Sequence, residues 1–137
     1  MDQRRAAYDE LYVYTIGRKN FILQHVVDAQ RAQTATPLTK QIAIVFALTG
    51  LYLHVERRFN GTEVQHARQR LAAHKQGWPA VVLPVERGRI SAADVMQEAA
   101  GRERDEAIDR WCAEVWSAYS KDNREAIVSL VSRHNVA

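Results

Sequence analysis

Residues 37–59 constrain this chain more than any other stretch: Pro-Leu-Thr-Lys-Gln-Ile-Ala-Ile-Val-Phe-Ala-Leu-Thr-Gly-Leu-Tyr-Leu-His-Val-Glu-Arg-Arg-Phe. The first half is apolar on nearly every face. A helix of that kind has no solvent side and must be enclosed by other helices or by lipid. The apolar part, 42–53, is too short for a bilayer, which takes about 20 such residues. A helix at the centre of a bundle is therefore expected. With 137 residues, 47% of them apolar, the chain is long enough to bury one real core, and a single helical domain over 1–137 is predicted.

Helical spacing recurs on both sides of that run. Ala7, Leu11 and Tyr14, with Tyr8 and Tyr12, predict a helix over 6–16 that Gly17 stops. Asn20 can cap a second helix over 21–33. Thr36 and Pro37 supply a cap and a first-turn proline for the apolar helix, and Asn60-Gly61 would close it. Residues 62–65 have the form of a capping box for a fourth helix on Val64, Ala67, Leu71 and His74. Ser91 can cap a short helix to about residue 99. Ile108, Trp111, Cys112, Val115 and Tyr119 mark the buried face of a longer one, and 122–125 resembles a box before a last helix on Ile127, Leu130 and Val131.

Residues 78–89 break the pattern. Pro79, Pro84 and Gly88 forbid a helix, yet Val81, Val82 and Leu83 are too apolar to float in solvent. The segment reads as an irregular crossover pinned by its own apolar side chains, or else as a functional loop. The predicted fold class is all-α, a bundle of about six helices.

Several function classes fall away on composition and motif. The formal charge of +3 is dispersed, and Arg102-Glu103-Arg104-Asp105-Glu106 mixes both signs. A nucleic-acid surface gathers Lys and Arg on one face with exposed aromatics; no such stripe occurs, so neither nucleic acid nor a membrane is an expected partner. No apolar run follows Met1-Asp2-Gln3-Arg4-Arg5, so no signal peptide is read and a bacterial cytoplasmic location is expected. Cys112 is the only cysteine, which excludes an internal disulfide and a cysteine zinc cage. Beside Trp111 and Val115 it reads as a small buried apolar residue. The glycines stand singly, with no phosphate loop, and the serines fit caps or surfaces.

The candidate site lies where the two apolar rows turn polar. Phe21, Ile22, His25, Ala29 and Ala32 share a face of the second helix, so His25 sits inside an apolar stripe. Asp28, three residues on, can approach the imidazole. Ala47, Leu51, His54 and Arg58 form a row on the apolar helix. If the rows face each other, His25, Asp28 and His54 converge, and two readings stay open. One is a satisfied polar network in which Asp28 accepts from His25 or an arginine. The other is a three-ligand site for a divalent metal such as iron, zinc or manganese. Glu56 lies about 200° round the helix from His54 and stands outside such a ligand set, as a base or an orienting partner for Arg57. Arg57 and Arg58 complement the helix dipole, or else bind an anion or a carboxylate across an interface.

Tyr8-Asp9-Glu10-Leu11, His25-Val26-Val27-Asp28-Ala29 with Gln33, and Gly50-Leu51-Tyr52-Leu53-His54-Val55-Glu56-Arg57 together resemble a family of uncharacterised bacterial proteins, a domain of unknown function. Gly61, Val64-Gln65, Trp78-Pro79, Arg87-Gly88, Ala93-Asp94-Val95, Trp111 and Trp116 extend the resemblance over nearly the whole chain. The resemblance implies no activity, but adds weight to His25, Asp28, Glu56 and Arg57 as a group. It also implies an N-terminal metal-binding cysteine cluster in some relatives. This chain departs there, so no cysteine-bound zinc is carried over.

From the residues themselves, the expected function is a non-enzymatic module that binds a small molecule or a protein, without a cofactor and as a homodimer. The alternative is a metal-binding protein or metal-dependent enzyme built on His25, Asp28 and His54.

Overall fold

In the computed structural model, residues 3–74 and 77–134 are described; Met1 and Asp2 of the N-terminal stretch lie outside them. The described residues form seven α-helices and one 3-10 turn, with no strand; each helix answers to one of the segments read from spacing, in a bundle put at about six helices. They are α1 (Gln3–Ile16), the turn Lys19–Phe21, α2 (Leu23–Thr34), α3 (Gln41–Val55), α4 (Gly61–Ala72), α5 (Ala92–Gln97), α6 (Arg102–Ala118) and α7 (Lys121–Arg133). No helix among them is long and apolar enough to cross a membrane.

The apolar run folds as α3, which buries Ile44, Val45 and every residue of 47–53. It packs against α2, α4, α6 and α7, as a helix apolar all round must. Its start is later than predicted, at Gln41 rather than Pro37. Residues 36–39 form a turn of their own, in which the Thr39 amide donates to the Thr36 carbonyl at 2.9 Å and the Thr36 amide to Thr39 Oγ1 at 3.0 Å. Threonine hydroxyls give the backbone a local alternative to the helix ladder, and here that alternative wins.

The end of α3 is also built differently. Arg58 adopts φ 58°, in the left-handed region, and the Phe59 amide reaches back to the Leu53 carbonyl at 2.9 Å. That is the helix stop that usually carries glycine. Gly61, read as the stop, instead opens α4. Asn60 accepts from the Glu63 amide and Glu63 from the Asn60 amide, both at 2.9 Å, a capping box two residues earlier than predicted. Gly61 is required by close approach, since a Cβ there would overlap the Phe21 carbonyl. Ser120, not Asp122, caps α7, accepting from the Asn123 amide at 3.2 Å.

The crossover is irregular, as its prolines demand, and polar side chains pin it together with its own apolar ones. Asn123 bonds both backbone groups of Val82, at 2.8 and 3.4 Å. Gln33 donates to the carbonyls of Arg87 and Ile90 at 3.2 and 2.7 Å, and Glu114 accepts from the amides of Arg89 and Ile90. Arg87 donates to the carbonyls of Ala32, Gln33 and Ala35 at the end of α2. Val81 and Leu83 pack on the core, while Val82 and Val85 stay exposed. A segment outside helices leaves its amides and carbonyls without ladder partners, so side chains must supply them.

Candidate functional site

The facing rows of α2 and α3 bring His25 and His54 together as a stacked pair. Their ring centroids are 3.5 Å apart and their planes within 15°. His54 Nδ1 lies 3.0 Å from the Phe59 carbonyl, which only accepts, so this nitrogen carries a proton. Nε2 lies 2.9 Å from Asp109 Oδ1 on α6, and donates to it when both ring nitrogens are protonated. Both nitrogens of His54 are therefore engaged. His25 is buried, and its Nδ1 has no hydrogen-bond partner. Loss of hydration, reinforced by His54 alongside, lowers its pKa to about 3. At neutral pH the ring is uncharged.

Asp28 does not join them. Its Oδ1 accepts from Arg68 Nη1 of α4 at 2.7 Å and from Gln24 Nε2 at 3.0 Å. Oδ2 is buried with no hydrogen bond, lying where a side chain on Gly50 would otherwise be. Burial raises the Asp28 pKa to about 7, against the opposing pull of Arg68 and Gln24. Of the two partners read for Asp28, His25 or an arginine, the structure supplies the arginine, Arg68, and His25 is not paired with Asp28. The three-residue step that separates them, about 60° round the helix, directs Asp28 to α4.

The ligand set His25, Asp28 and His54 is not assembled. Imidazole lone pairs lie in the ring plane, so parallel stacked rings do not converge on one ion, and the Asp28 carboxylate is committed to Arg68. Among the described residues no group of three or more His, Cys, Asp or Glu is placed to hold a metal. Glu56 accepts from Trp116 Nε1 at 2.5 Å, while the Arg57 guanidinium lies 5.9 Å from the centre of the Phe59 ring. Those partners replace the expected link between Glu56 and Arg57. Burial pushes the Cys112 thiol well above its ordinary pKa.

The histidine pair lines a cleft of about 580 Å³ bordered by Lys19, Asn20, Arg58, Phe59, Asp105 and Asp109. Among the described residues, the non-glycine positions with positive φ are Asn20 (63°), Phe21 (53°) and Arg58 (58°). Two of them line this cleft and the third adjoins it. Each such conformation costs on the order of 1–3 kcal/mol, and strain of this kind clusters at functional sites. Asp105 is satisfied by Arg18 and by the Tyr14 hydroxyl at 2.9 Å, and Asp109 faces His54. A second, larger cleft of about 1190 Å³ lies beside the crossover, where Gln33, Arg87 and Glu114 hold the loop in place.

The family model of DUF5946, a family of unknown function, matches residues 5–120. The chain belongs to that family. The DUF5946 match takes in the stacked histidines, Asp28 and Asp109, whereas α7 lies beyond it. No curated protein and no solved structure matches the chain.

Three participants escaped the sequence reading: Lys19, Arg68 and Asp109. Arg68 had a signal, since it lies one turn after the buried Val64 on α4 and next to the buried Ala67. Asp109 flanks the buried Ile108 on α6 and had no signal beyond that adjacency.

Proposed function

We propose that this DUF5946 protein is a non-enzymatic binding module whose ligand is a small molecule taken up in the His25–His54 cleft. The observation that carries this reading is the condition of the groups capable of chemistry. A general base needs a nitrogen free to face its substrate, and both nitrogens of His54 are occupied by oxygen acceptors. Burial holds His25 neutral far below the pH range of acid–base work. The Cys112 thiolate is disfavoured by burial. An open cleft with polar sides and no armed group suits holding a ligand rather than converting it. A fragment screen by NMR on the ¹⁵N-labelled protein tests this. Binders that shift the amides of Asn20, Arg58, Phe59 and Asn60 are expected; a screen whose hits all avoid these amides would refute the cleft.

A homodimer is favoured by a separate feature. Val13 and Ile16 of α1 are 68% and 63% exposed, beside the partly exposed Tyr12. Apolar residues gathered on one helix suit a self-complementary contact. Sedimentation should then show a dimer that Val13→Asp dissociates, and a monomer at high concentration would dismiss it.

A further inference from the structure

We propose that the ligand of the cleft carries an oxyanion, a carboxylate or a phosphate, held between Lys19 and Arg58. The inference rests on the ligand-binding reading above and supplies its chemistry. Of the carboxylates that line the cleft, Asp105 is matched by Arg18 and Tyr14, and Asp109 faces His54 Nε2 at 2.9 Å, an ion pair when that ring is protonated. Lys19 and Arg58 line it as well, and no carboxylate partners them among the described residues. One cation comes from the turn before α2 and the other from the turn after α3, and both lie on the lining of the one cleft. Ile22 and Phe59 offer apolar wall for the rest of the molecule.

The backbone supports the same assignment. Arg58 occupies the left-handed position at the end of α3 that glycine fills at no steric cost. Glycine would stop the helix equally well, so the helix stop does not explain an arginine there. An arginine on the lining of a cleft does, because a guanidinium fork matches the two oxygens of a carboxylate or phosphate. Beside Lys19, Asn20 and Phe21 are held left-handed too, with Gly61 leaving room for the Phe21 carbonyl.

A matched set of titrants tests this on the ¹⁵N-labelled full chain at pH 7 and constant ionic strength. Sodium benzoate, benzamide and benzylammonium chloride share one body with negative, zero and positive charge, and inorganic phosphate forms a separate arm. Saturable shifts of the Lys19, Asn20 and Arg58 amides are expected with benzoate or phosphate, and the tighter arm identifies the source of the oxyanion. Arg58→Gly should keep or raise the melting temperature, because it removes left-handed strain, yet weaken anion binding roughly tenfold or more, the loss of a charge-assisted bond. Lys19→Ala should weaken it similarly. Lys121→Ala, which removes a surface cation paired with Glu125 on α7, should leave it unchanged. Equal anion affinity in wild type and Arg58→Gly overturns the proposal. Binding of only benzamide or benzylammonium overturns the oxyanion and leaves the cleft standing; no titrant in the cleft overturns both.

Discussion

The buried carboxylate of Asp28 occupies the space that Gly50 leaves open on α3, where any Cβ would overlap Oδ2. A glycine inside a helix ordinarily costs about 1 kcal/mol relative to alanine. Here that cost permits α2 to place an acid between α3 and α4, where Arg68 meets it at 2.7 Å.

Gly50→Ala should therefore destabilise the protein despite its better helix propensity. Breaking a buried ion pair costs about 3–5 kcal/mol, and the propensity gain offsets about 1 of it. A net loss of about 2–4 kcal/mol in urea denaturation is expected. Adding Asp28→Ala clears the overlap, so the double variant should lose much less than the sum of the single changes. Strict additivity would mean that Asp28 does not fill this space.

Asp28 and His25 should give stability opposite pH dependences. The Asp28 pKa rises from 3.8 to about 7 on folding, so its contribution is full below pH 3.8 and is lost as pH rises towards 7. The His25 pKa falls from 6.5 to about 3, so its contribution is full above pH 6.5 and is lost as pH falls towards 3. Between about pH 4 and 6.5 the two slopes oppose, each at most roughly 1.4 kcal/mol per pH unit. Relative to wild type, Asp28→Asn should gain stability as pH rises through that window, and His25→Phe should lose it. Differences of the same sign in the two variants would contradict the assignment.

The two bonds of His54 should differ in weight. His54→Phe preserves an aromatic ring over His25 but orphans the half-buried Phe59 carbonyl, at a cost of about 1–3 kcal/mol. Asp109→Ala removes a partner that is mostly exposed, and exposed pairs contribute about 0–1 kcal/mol. Denaturant melts of the two variants compare them directly. A larger loss at Asp109 would show that the ion pair, not the carbonyl bond, holds the ring.

Arg87 should be irreplaceable by lysine. Its Nη1 faces the last carbonyls of α2 and its Nε donates to the Pro84 carbonyl at 3.0 Å. A lysine keeps the charge without the planar fork. Arg87→Lys and Arg87→Ala should both cost about 1.5–3 kcal/mol. Both should also raise amide exchange across 84–91 more than in α3. Unchanged exchange in that loop would show that Gln33, Glu114 and Asn123 hold it alone.

What was legible at the start was what neighbouring residues decide. The all-round apolar character of 42–53 required enclosure, and α3 buries nine residues there. The spacing of Phe21, His25, Ala29 and Ala32 put an imidazole into a buried stripe, and His25 is buried. Pro79, Pro84 and Gly88 ruled out a helix in the crossover. Helix ends were less legible, because hydroxyl and amide side chains compete locally for the same backbone groups: Thr36 and Thr39 delayed α3, and Asn60 took the cap expected at Thr62.

Tertiary structure decided which partners those side chains met. A three-residue step and the gap at Gly50 sent Asp28 to Arg68 of α4, forty positions away, instead of to His25. The approach of α6 gave His54 its second partner in Asp109, and the stop at Arg58 set a guanidinium at the cleft. Periodicity along one helix determines which face is buried, since that depends on rotation per residue alone. The pairing of one face with another depends on how closely two backbones approach and at what rotation, which is settled only when all the helices pack.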